Sequence, residues 1–200
     1  MYRIYLSKGN AKLKKTAKVR NAAVMAFDLP AGYTCPYAGE CRAYCYAKKG
    51  RYVFESKRKC NDGNYNASLE LDFVPRMVAI LKGEDAKTDK KIHIRIHSSG
   101  DFYNKEYALK WESIARECPE IVFYAYTKSV EIVKSIDWPE NVHIAYSIGG
   151  TQDDLIPEGA TVAKIFDTPE DAINNGYDPA IMQDDLLVVY GSKRLGLIKH

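Results

Sequence analysis

The 200-residue chain lacks any uninterrupted apolar run near the roughly 20 residues a membrane-spanning helix needs. Its first residues, MYRIYLSKGNAKLKK, have neither an apolar signal core nor a small-residue cleavage site. These absences point away from a membrane or secretory destination and toward a cytoplasm, where thiols stay reduced. There is no internal repeat, low-complexity tract or long linker, so a single domain over residues 1–200 is expected. Charge of one sign is also scarce. The net charge is only +3, and the basic residues of the N-terminal segment, 1–21, read as a solvated patch rather than a nucleic-acid-binding tail. Cysteines are few and odd in number, five in all, which disfavours a disulfide framework.

What is present is an ordinary globular composition, 46% hydrophobic and 28% charged, large enough to bury a core. Short β-rich runs alternate with helical stretches. YRIYL opens the chain, and 22–32 reads as a buried strand ended by Pro30 and Gly32. Residues 52–83 carry helical spacing, with Leu69, Phe73, Met77 and Ile80 on one face. A helix start near 66–70 and an end near Gly83 are expected there. Strands at 91–102, 121–129, 142–150, 160–166 and 185–191 are interleaved with helices at 104–118, 130–136 and 168–176, the last started by Thr168 and Pro169. The order predicts an α/β fold with a mostly parallel sheet of about six strands. In IHIRIHSSGD, Ile92, Ile94 and Ile96 alternate with His93, Arg95, His97 and Ser99. One polar register beside one apolar register favours an incomplete (β/α) barrel, its inner side wet and its outer side under helices, over a doubly wound sheet. Tyr124, Tyr126, Lys128, His143, Ser147 and Lys164 are assigned to the same wet side.

The cysteine-rich loop follows the first of these strands, within a region spanning 33–60. Cys35, Cys41 and Cys45 are spaced C-x5-C-x3-C, with Cys60 further on. Zinc sites favour paired C-x2-C knuckles, whereas a bulkier cubane cluster takes its thiolates from a more open loop. The pattern therefore points to a [4Fe-4S] cluster held by Cys35, Cys41 and Cys45, with Cys60 as fourth ligand; zinc and plain buried thiols are the alternatives. Tyr33, Tyr37, Tyr44 and Tyr46 could shield the cluster, and Arg42, Lys48, Lys49 and Arg51 could offset its charge. Cys118 reads as a small hydrophobe.

The segments DLPAGYTCPYAGECRAYCYAKKGRY, HSSGDFYNKEYALKWESIA and FYAYTKS resemble a family of phage-encoded proteins, the gene product 88 family, over roughly residues 27–129. That likeness implies a host cytoplasm as the working compartment. The loop is also similar to that of radical S-adenosylmethionine enzymes, in which three cysteines after the first strand of a partial barrel hold a [4Fe-4S] cluster. In them, too, an aromatic residue precedes the last cysteine, as Tyr44 precedes Cys45. That likeness implies S-adenosylmethionine binding, with Tyr44 and Arg95 as cofactor-binding candidates, only if one iron stays open. The chain departs from that pattern in its spacing and in carrying Ser98-Ser99-Gly100-Asp101 where those enzymes have a Gly-Gly-Glu-Pro-like turn.

Parallel (β/α) folds place their chemistry at the C-terminal ends of strands. His97, Ser98, Ser99, Asp101, Thr127, Lys128, Ser147, Gly149 and Gly150 fall there. His97 with Ser98 or Ser99, oriented by Asp101 and with Lys128 at an oxyanion, would be a hydrolytic constellation for an ester-like small substrate. Asp101 and Asn104 are alternatively N-caps of the following helix. Three functions follow: a hydrolase with a closed structural cluster, a radical S-adenosylmethionine-type enzyme, and a non-catalytic phage factor that binds a host partner. The oligomeric state is not readable.

Overall fold

A computed structural model describes residues 1–8, 10–180 and 184–199. Eight strands among them form one open sheet: β1 (Leu6–Ser7), β2 (Ala23–Phe27), β3 (Ile92–Ile96), β4 (Val122–Thr127), β5 (Val142–Ser147), β6 (Val162–Phe166), β7 (Asp178–Pro179) and β8 (Arg194–Ile198). Their order is β1-β2-β3-β4-β5-β6-β8-β7. Every neighbouring pair is parallel except β1 with β2. From β2 to β6 each strand lies beside the one before it in the chain. Over that stretch the order does not reverse, so right-handed crossovers put their helices on one face.

Those helices are α3 (Glu55–Leu69), α4 (Phe73–Asp85), α5 (Lys105–Glu117) and α6 (Val130–Lys134). The main core lies beneath them. Ile92, Ile94, Ile96 and Phe123 of the sheet meet Phe73, Met77, Trp111 and Ile114 of the helices. The helical stretch at 52–83 is two helices: the expected start near 66–70 is instead the end of α3, the chain breaks at 70–72, and Gly83 lies inside α4 instead of ending it. Asn104 is the N-cap of α5, its side chain accepting from the Tyr107 N–H at 2.8 Å. Thr168 caps α7 (Pro169–Asn174) with Pro169 in the first turn, as the sequence indicates.

The opposite face is where expectation and structure part. Strand register puts His93, Arg95, Tyr124, Tyr126, His143 and Ser147 on one side of the sheet. Chain of the protein itself, not solvent, covers that side. Leu13 of α1 (Ala11–Val19) and Leu186 and Val188 pack there on Val24, Ala26, Tyr124 and Ala145. Residues 185–191 are thus not the sixth strand. They turn into a short helix, α8 (Leu187–Tyr190), and the strand role passes to β8. Lys164 lies in the other register, exposed, its ammonium 5.6 Å from the Phe166 ring centre. β1 pairs only the end of the expected YRIYL run, and β7 adds a two-residue edge that the sequence does not announce.

Polar groups on the filled face are consequently paired within the chain. Asp185, fully buried, accepts from Arg95 at 2.6 and 2.7 Å, from the Tyr124 hydroxyl at 2.9 Å and from Lys12 at 2.9 Å. His93 Nε2 meets the Tyr190 hydroxyl at 2.7 Å. Opposed charges and hydrogen bonds let these ionisable groups lie under cover.

Candidate functional site: the cysteine loop on the strand-end rim

The chain leaves β2 through Asp28, Leu29 and Pro30 and reaches the cysteines at once. Thr34 is buried, its hydroxyl donating to the Pro30 carbonyl and its own carbonyl accepting from the Asp101 N–H at 3.1 Å. The loop then crosses the rim. Ala38 forms an antiparallel bridge with Gly150, and the Thr151 N–H donates to the Tyr37 carbonyl at 3.1 Å. Gly39 is required at this crossing, since a Cβ there would come within 2.5 Å of the Gly149 carbonyl oxygen. Gly100 is required at the other end, where φ is +84° and a Cβ would lie 2.6 Å from that of Leu29. The loop is therefore fastened over the C-terminal ends of β3 and β5.

Cys35, Cys41 and Cys45 are half-buried and none of the five cysteines is in a disulfide. Burial raises the Cys35 pKa to about 11, with Asp101 and the other two loop thiols adding to the rise. Burial also raises that of Cys41, Lys128 opposing it and Cys45 and Asp101 adding to it. The three thiols, Asp101 and Lys128 thus lie within one another's electrostatic reach. Among the described residues, no three Cys, His, Asp or Glu side chains are close enough together to share one metal ion. Cys41 opens a four-residue helix, α2 (Cys41–Tyr44), and Cys45 ends it. Arg42 turns back to the Pro36 carbonyl at 3.3 Å.

Cys60 sits on α3, not on the loop. On a helix, 57, 60, 61 and 64 share a face. Three of these bind the β2 exit: Lys57 to Asp28 at 2.7 Å, Asn61 to the Leu29 carbonyl at 3.3 Å, and Asn64 to the Asp28 carbonyl at 3.0 Å. Cys60 is presented on the side of α3 that faces the root of the cysteine loop.

The hydrolytic constellation is not assembled. At φ +71°, His97 leaves the register of His93 and Arg95, and its ring turns in among Phe102 and Tyr107. Its Nε2 shares a 2.8 Å hydrogen bond with the Tyr107 hydroxyl, and burial lowers its pKa to about 3. Ser99 donates to the Leu29 carbonyl at 2.8 Å, while the buried Ser98 hydroxyl has no partner among the described residues. Asp101 caps no helix. It accepts from the Thr127 hydroxyl at 2.5 Å and from the backbone N–H of Phe102 and Lys128, both at 2.8 Å. Burial nevertheless lifts its pKa to about 6. Lys128 Nζ donates to the carbonyls of Ser147 and Ile148 at 2.8 Å, and burial pulls its pKa down. Arg95 is committed to Asp185, and Tyr44 is an exposed ring near Cys41 and Glu40.

Sequence reasoning missed Asp28. Its carboxylate accepts from the Ser98 N–H at 2.7 Å while holding Lys57, so it ties the β2 and β3 exits to α3. An acid directly after an apolar parallel strand was the available signal. Tyr46 was read as a shield, but its hydroxyl reaches in to the Ser98 carbonyl.

Consecutive parallel strands with a thiol loop on their C-terminal rim define an α/β protein with a mostly parallel open sheet. The chain belongs to the Gene product 88 family, whose profile matches residues 4–198. It is 30% identical over 105 residues to the Gene 88 protein of Mycobacterium phage L5 and 29% identical over 105 residues to that of Mycobacterium phage D29. Each match covers 48% of this chain, and 44% and 43% of the respective relatives, so the chain spans less than half of their length. No solved structure matches. Among the described residues no helix is long and apolar enough to cross a membrane.

Proposed function

We propose that the protein binds a [4Fe-4S] cluster through Cys35, Cys41 and Cys45, with Cys60 of α3 as fourth ligand. The single observation that carries this reading is the grouping of three undisulfided thiols on one fastened loop at the C-terminal rim. The donor set fits: thiolates are the ligands iron–sulfur clusters take, and Lys128 lies where it offsets their charge. Bound there, a cluster held by four cysteines would supply electron transfer. Cysteines with raised pKa values release protons on ligation. A hydrolytic reading draws no support from this arrangement, because His97 is bonded to Tyr107 and reaches neither serine.

Anaerobic purification followed by iron and sulfide analysis and visible and paramagnetic spectroscopy tests the proposal. A brown protein with about four irons and four sulfides per chain is expected. A colourless protein carrying zinc overturns it. Cys60→Ser separates two forms of the cluster. Loss of iron retention makes Cys60 a ligand, whereas an intact cluster leaves one iron open, the condition under which S-adenosylmethionine could bind.

A further inference from the structure

Charge is distributed unevenly along this nearly neutral chain. Residues 8–20 and 41–60 together hold 13 of the 29 lysines and arginines and one of the 26 acids, a net +12. The remaining residues hold 16 cations and 25 acids, a net −9. The fold joins the two basic segments. Tyr52, in the turn at 50–53, reaches the side chain of Asn10, the N-cap of α1, and Lys12 pairs with Asp185, whose charge also acts on Tyr46. A thiolate-ligated cluster carries about two negative charges, far too few to account for this excess.

Several of these cations are uncommitted. Lys14, Lys15, Lys18, Lys49, Arg51 and Arg58 are exposed and have no ion pair among the described residues. The 41–60 segment itself bears large exposed rings, Phe54 (60%), Tyr46 (57%) and Tyr44 (47%). Cations that track a phosphate backbone, interleaved with rings on which bases stack, are the attributes of a single-strand-binding surface. A duplex keeps its base faces stacked and could not use the rings. A lipid surface is matched less well, since Leu13 of α1 is buried against the sheet.

We infer that the joined face of residues 8–20 and 41–60 binds single-stranded nucleic acid, the lysines and arginines contacting phosphates and Tyr44 and Phe54 stacking on bases. The inference does not rest on the cluster, since it uses side chains other than the cysteines.

Fluorescence anisotropy of the full chain with a labelled 20-nucleotide single strand, the matching duplex, and vesicles containing phosphatidylserine tests it. Single strand should bind most tightly at 50 mM salt, its affinity falling as salt rises. The pair Lys49→Glu with Arg51→Glu should weaken it more than tenfold and flatten the slope of log affinity against log salt by about 0.7 per lost phosphate contact. Phe54→Ala with Tyr44→Ala should weaken it about tenfold or more. The same charge change on the α5–α6 side, Lys105→Glu with Lys134→Glu, should cost less than threefold. The inference is overturned by no oligonucleotide binding, by tighter binding to duplex or vesicles, by neutral aromatic variants, or by an equal loss in the control. The preference among the three ligands needs no variant, so a misfolded substitution leaves the test standing.

Discussion

His97 and Asp101, four residues apart and both buried, pull the pH dependence of stability in opposite directions. An imidazole with a native pKa of about 3 stays neutral while the unfolded chain takes up a proton below about 6.5. Its contribution is complete above pH 6.5 and is lost as pH falls toward 3, about 5 kcal/mol in all. Asp101, with a native pKa of about 6, binds its proton before the unfolded carboxyl does, so stability rises by about 3 kcal/mol as pH falls from 6 to 3.8. The histidine wins. Asp185, held near 2 by Arg95 and Lys12 against its burial, adds a further loss below 3.8. Urea unfolding between pH 3.5 and 7 should show only a shallow acid limb, because the two slopes oppose each other from about pH 6 to 3.8. His97→Asn should abolish that limb and Asp101→Asn should steepen it, asparagine being tolerated at the left-handed φ of position 97. An unchanged limb in His97→Asn would contradict the burial of a neutral imidazole.

Among the elements, the cysteine loop is the piece whose position depends on glycines rather than on regular structure. Gly39→Ala forces a Cβ against the Gly149 carbonyl, and backbone cannot yield as a side-chain tip does. The substitution should cost about 1–3 kcal/mol locally, release the 34–54 loop to limited proteolysis, and leave far-UV dichroism of the sheet intact. If Cys35, Cys41 and Cys45 hold a cluster, iron retention should fall with it. The same loop shows what a sequence discloses. The thiols, the turn residues and the two-residue alternation of β3 are local signals, and they survive into the structure as a rim loop and a two-faced strand. Residues 185–191 mislead because Leu186, Leu187, Val188 and Val189 form an apolar run too short to choose between strand and helix. β8 hides for the opposite reason: Gly196 interrupts it, and its want of a side chain admits Ala172 of α7 closely. His97 escapes the alternation because one residue with positive φ reverses the direction of its side chain, and no spacing rule encodes that.

For the whole molecule, the unreversed strand order from β2 to β6 raises a packing question. All the crossover helices from β2 to β5 serve one face, so the other must be covered by something else. The chain uses its two ends. α1 precedes the first parallel strand and 184–190 precedes β8, and Asp185 fastens them to the sheet by accepting from Arg95, Tyr124 and Lys12 while its N–H donates to the Thr16 hydroxyl at 2.9 Å. None of this was visible in Arg95 alone, whose partner lies 90 residues away. Removing one member of such a group is worse than removing both, because a buried charge without its counter-charge keeps its desolvation penalty. Asp185→Ala should therefore destabilise the fold by about 3–5 kcal/mol, leaving Arg95 and Lys12 facing each other under cover. Arg95→Met with Asp185→Ala should cost clearly less than the sum of the two single changes. Urea unfolding of the four proteins in a double-mutant cycle measures the difference. Additive costs would mean that the ends of the chain are held to the sheet by apolar packing alone, with Leu13, Leu186 and Val188 sufficient to close the second face.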